Sequence, residues 1–132
     1  TTPASTFASD GDKIFFDFGG TMPDATATIT IKVYFGGTQI YTSGAIALSG
    51  TGNYHINGFL VRVNSTTIRA VVSGVHRSGI PLTSSDYTEV TGLTLSNTNI
   101  LKITGRAGGG TGGTGDIVDK LGQIRYEPVA AN

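Results

Sequence analysis

Between Thr28 and Phe35 the chain alternates without a break. Ile29, Ile31, Val33 and Phe35 take every second position, and Thr28, Thr30, Lys32 and Tyr34 fill the places between. A period of two sends side chains to opposite faces of an extended strand, so one face belongs to a core and the other to water. A helix cannot use this pattern, because its apolar stripe recurs every three to four residues. The fold must therefore supply partner strands along the edges of this segment and a cover for its apolar face. Gly36-Gly37 follows, then a short run from Thr38 to Thr42, and two strands about a two-glycine break form a hairpin.

The rest of the chain follows the same grammar. Lys13 to Phe18 reads as a strand stopped by Gly19-Gly20, and Met22-Pro23-Asp24 as a loop. Tyr54 to Val63 is a longer strand whose parity changes near Asn57-Gly58, where a bulge is expected. Asn64-Ser65 turns into a returning strand, Thr66 to Val75, and His76 to Asp86 reads as a long polar loop around Pro81. Thr88 to Leu95 and Ile100 to Gly105 are further strands. In the last strand, Gln123 to Val129, Ile124 and Tyr126 are expected inward and Arg125 and Glu127 outward, with Pro128 ending the ladder. The one helical candidate is Asp116 to Leu121, with Ile117 and Leu121 four apart. About eight short antiparallel strands predict an all-β, antiparallel β-sandwich, jelly-roll-like in its strand count. Residues 1–11 read as an N-terminal arm around a lone Phe7, and residues 12–132 as a single β-sandwich domain.

Composition narrows the function classes. Nine basic and nine acidic residues cancel, and only 14% of residues are charged. Without a basic surplus to displace counterions from phosphates, nucleic acid is not an expected partner. No apolar run is long enough to span a bilayer as a helix, and no signal-peptide pattern opens the chain, so no membrane partner is expected. There are no cysteines, which removes disulfides and thiolate metal sites.

No constellation of reactive residues stands out. Gly105 to Gly115 contains Gly110-x-Gly112-x-x-Gly115, yet the helix that gives a dinucleotide fingerprint its meaning is missing, so the stretch reads as a surface loop. His55 and His76 lie in different segments with no further ligands in view. Asp17 and Glu89 are the candidate carboxylate pair for glycoside hydrolysis, and a solvated face is their default reading. Asp116 and Asp119 could approach a cation, although Asp116 serves equally well as a helix cap. Asn64-Ser65-Thr66 matches a glycosylation acceptor in a turn where Asn and Ser are expected anyway. The expectation is a non-enzymatic protein with no cofactor and no metal.

The wording of several segments goes further. Lys32-Val33-Tyr34-Phe35-Gly36-Gly37-Thr38, Ser43-Gly44-Ala45 and Tyr54-x-Ile56 resemble small jelly-roll virion proteins of tailed bacteriophages. So does the close of the chain, Leu95 to Gly105, then Asp116-Ile117-Val118 and Gln123 to Pro128. The family includes head decoration or cement proteins and tail-fibre tips. The resemblance implies a structural protein of the phage particle, made in the host cytoplasm and assembled as a homo-oligomer, commonly a trimer. A compact chain without a stalk points to a decoration protein that binds and stabilises the major capsid protein, with Phe7 as the partner-binding anchor. The alternative is a receptor- or carbohydrate-binding tip domain of a tail fibre. The family supplies no catalytic residues.

Overall fold

The computed structural model describes residues 6–22, 28–47, 51–78, 80–108 and 118–129. Every regular element among them is a β-strand. The order is β1 (Lys13–Met22), β2 (Thr28–Phe35), β3 (Thr38–Thr42), β4 (Ile46–Ala47), β5 (Gly52–Asn64), β6 (Thr67–Ser78), β7 (Ile80–Val90), β8 (Leu101–Gly108) and β9 (Val118–Glu127). They form two antiparallel sheets packed face to face as a β-sandwich. The larger sheet runs β7-β6-β5-β1-β9. In the smaller, β2 is central, with β3 and β4 on one side and β8 on the other. The pairs β1·β9 and β2·β8 join the two halves of the chain in a nested manner, and β5, β6 and β7 add a meander that widens one sheet.

The alternation in β2 dictates the core. Ile29, Ile31, Val33 and Phe35 are buried and meet Ile14, Phe16, Ile56, Leu60, Ile68 and Val72 from the larger sheet. The β2–β3 turn needs φ of 56° at Gly36 and 88° at Gly37, the left-handed region that glycine enters without a Cβ clash. At one seam β3 and β7 are tied together: the Thr42 amide donates to Asp86 Oδ2 (3.3 Å) and the Thr88 hydroxyl to the Ile40 carbonyl (3.5 Å). At the other, the Tyr54 hydroxyl in β5 donates to Asp119 Oδ1 in β9 (3.3 Å), beside a small cleft between β2, β8 and β9.

Several local expectations are corrected. Residues 6–12 do not extend away from the sandwich. Phe7 is 2% exposed and meets Phe35 edge-on, with ring centroids 6.1 Å apart, so the expected partner anchor belongs to the chain's own core. Asn57-Gly58 carries no bulge: the β1·β5 and β5·β6 registers run through it unbroken, and the shift in β5 lies between Arg62 and Asn64. Gly58 is required by close approach instead, since a Cβ there would lie 2.5 Å from the Val71 carbonyl oxygen and 2.8 Å from the Phe16 ring. The polar stretch His76 to Asp86 is a β-hairpin, because its backbone groups pair from Ser78↔Ile80 onward. Strand β7 ends at Val90, and Leu93 and Leu95 reach the core from an irregular segment. Residues 118–121 begin β9 rather than a helical turn, while Asp116 and Ile117 lie outside the described residues. Gly105 to Gly108 extend β8, and the remainder of the expected glycine loop lies outside the described residues. Ile124 and Tyr126 do sit opposite core-facing Phe16 and Ile14, but β9 is an edge strand and they stay 47% and 37% exposed.

Candidate functional site

The two faces of the larger sheet differ. Even-numbered positions of β1, β5 and β6 fill the core; odd-numbered positions face outward, and among the described residues no element packs over them. The pairing registers place these outward residues in rows that cross the sheet. One row runs Tyr87–Val71–Phe59–Phe15–Arg125, from β7 to β9. The next runs Ser85–Ser73–Asn57–Asp17–Gln123. Directly opposed side chains on one face lie about 5 Å apart, so each row is a continuous strip roughly 19 Å across five strands. An apolar and aromatic strip thus lies against a strip of hydrogen-bonding groups.

Between them the surface sinks into a cleft of about 420 Å³ lined by Phe15, Asp17, Asn57, Phe59, Val71, Ser73, Gln123 and Arg125, with Gly58 in the floor. Because Gly58 has no side chain, the Phe16 ring crosses it on the core side and the neighbouring backbone comes close. The Phe15 and Phe59 rings are 5.8 Å apart and tilted by 34°, forming one apolar plate. The Arg125 guanidinium lies 4.5 Å from the Phe15 ring centroid and donates to Glu127 Oε2 at 3.1 Å. That stack and ion pair hold the far end of the aromatic strip in place. His55 Nε2 bonds Asp17 Oδ1, and the cross-strand pair fixes the carboxylate at the centre of the polar strip. Among the described residues, no hydrogen bond engages the side chains of Asn57, Ser73 or Gln123. Their donors and acceptors face the cleft unspent.

The sequence candidates scatter around this site. Asp17 is in it, with His55 at its margin. Glu89 is not: it lies on β7, where it accepts from Arg69 of β6 (2.8 Å), and three strand spacings, roughly 14 Å, separate β7 from β1. Glycoside hydrolysis needs carboxylates within roughly 5–10 Å, so the two do not form such a pair. His76 is buried in the core, where its Nε2 lies 3.1 Å from the Tyr41 hydroxyl and burial pushes its pKa down. Asp119 accepts from Tyr54, whose own hydroxyl pKa is raised to about 12 by burial and by that carboxylate. Asn64 Oδ1 accepts from the Thr66 amide and hydroxyl (2.9 and 3.1 Å), holding its turn. Among the described residues no three His, Asp or Glu side chains gather as a metal site.

Phe15, Phe59, Asn57, Ser73, Gln123 and Arg125 were not singled out from sequence. A signal existed. Phe15-Phe16 and Phe59-Leu60 put large apolar residues at both parities of one strand, so each pair must send one member to the outer face. Comparisons with protein-family models, with curated proteins and with solved structures give no match, so the site is read from its own geometry.

Proposed function

We propose that this chain is a non-enzymatic structural protein of a tailed-phage particle that acts as a recognition module for a cell-surface receptor, through the outer face of its five-stranded sheet. The observation that carries this reading is the cleft between the aromatic and polar strips, a concave site with a few convergent polar groups on a rigid sheet. Support for the phage setting is the resemblance in residues 32–45 and 95–128. The decoration reading placed its contact on an arm anchored by Phe7. With Phe7 spent on the chain's own core, that contact loses its anchor, and the tail-fibre-tip alternative gains.

The test uses particles carrying the wild-type chain or Phe59→Ala, with two measurements on each: adsorption to host cells and survival on heating. Loss of adsorption with heat resistance intact is the expected result. Loss of heat resistance with adsorption intact would return the contact to the major capsid protein and sink the recognition reading.

A further inference from the structure

We infer that the cleft holds a neutral oligosaccharide, laid across the strands with an apolar sugar face on Phe15 and Phe59 and its hydroxyls along Asp17, Asn57, Ser73 and Gln123. The inference rests on the recognition reading and names the class of its ligand.

The hydrogen-bonding inventory carries the argument. Asn57, Gln123 and Ser73 each offer both donor and acceptor, and Asp17 offers acceptors only. Sugar hydroxyls likewise donate and accept at one atom, and neighbouring hydroxyls on a ring can meet neighbouring side chains in a strip. An edge-bound peptide would need free backbone N–H and C=O groups, but β6, β5 and β1 are interior strands whose backbone groups are used in the ladders. A nucleic-acid strand would find stacking rings here, but not the cationic groove that tracks its phosphates. Arg125, the cation lining the cleft, is already paired with Glu127. Asp17 offers acceptors only, which suits a sugar hydroxyl that donates, whereas the carboxylate of an anionic sugar would set acceptor against acceptor there. The aromatic plate supplies the remaining element: sugar rings present C–H groups on one face, and an aromatic face receives them.

The experiment is isothermal titration of the purified chain with four probes: cellotetraose, mannotetraose, N-acetylchitotetraose and tetragalacturonate. Each is repeated on Asn57→Ala, Gln123→Ala and Phe59→Ala variants whose melting temperatures have been checked. The expected result is binding of at least one neutral probe, weakened about tenfold by each polar substitution and further by Phe59→Ala. Three results would overturn it: no neutral probe binds, tetragalacturonate alone binds, or a neutral probe binds equally well to folded variants. If the glycans fail while Phe59→Ala still abolishes adsorption, the recognition reading survives without its ligand class. If a neutral glycan binds this cleft and adsorption is untouched, the site stands and the receptor role falls.

Discussion

Asp12 is 1% exposed, yet it gathers four donors: the amides of Ala8 and Ser9, the Tyr126 hydroxyl and the Val129 amide, all at 2.8–2.9 Å. Burial by itself pushes its carboxyl up. The bonds from Ser9, Val129, Tyr126 and Ala8 outweigh that and hold it below the usual value of 3.8. One side chain thus fastens the segment before β1 to the segment after β9. Arg62 reinforces it, donating to the Phe7 carbonyl (2.7 Å) and to Asp10 (3.0 Å). Asp12→Ala leaves several buried donors unpaired and is expected to cost about 2–4 kcal/mol in denaturant unfolding, with Asp12→Asn costing less. The same measurement checks the face of β2. Ile31→Ala should cost about 2–5 kcal/mol by cavity formation, and Thr30→Ala, on the outward face, far less. Equal losses at Ile31 and Thr30 would contradict the packing.

At the scale of elements, what was legible in the sequence depended on whether one strand carried its own signal. In β2 the alternation was complete, and Gly36-Gly37 named its turn, because period and turn chemistry are local. The β6–β7 hairpin was hidden for the opposite reason. Its closing end, residues 76–86, holds Ser, Thr, Asp and Pro, which read as loop until the ladder Val72↔Asp86 to Ser78↔Ile80 satisfies their backbones. The candidate site was illegible because it is a property of five strands together. Asp17, Asn57, Ser73 and Gln123 come from four of them and become neighbours only through register. Strand β9 shows another device that a single sequence pattern blurs: its exposed Ile124 and Tyr126 are flanked by Lys120, Arg125 and Glu127, and charges on an edge discourage pairing with a second sheet. Gly58 yields the prediction for this scale. Gly58→Ala forces a Cβ against the Val71 carbonyl and the Phe16 ring and is expected to lower stability by about 1–3 kcal/mol. Gly92→Asn, at φ of 75° with open space around its Cα, should be nearly neutral in the same melt.

For the molecule as a whole, three buried groups set how stability varies with pH. His76 lies in the core at 2% exposure, with Nε2 on Tyr41 and no partner for Nδ1 among the described residues. Burial lowers its pKa from 6.5, so the folded state binds a proton more weakly than the unfolded chain. Below 6.5 the unfolded chain takes up that proton first, and stability falls as pH drops through the folded-state value. Asp12 acts in the same direction in a lower window: its contribution is present above 3.8 and is lost as pH falls through its depressed folded-state pKa. Tyr54 acts at the other end. Its pKa is raised from 10.0 to about 12, so its contribution is present below 10.0 and lost as pH climbs towards 12. The melting temperature should therefore hold a plateau between roughly pH 7 and 9.5 and fall away on both sides. His76→Gln separates the first acid step from the second. Glutamine has no charge to gain and keeps a polar atom for Tyr41, so the variant should melt lower throughout but lose the slope just below pH 6.5 and keep the later decline from Asp12. An unchanged slope in that variant would mean that the first acid step belongs to another group.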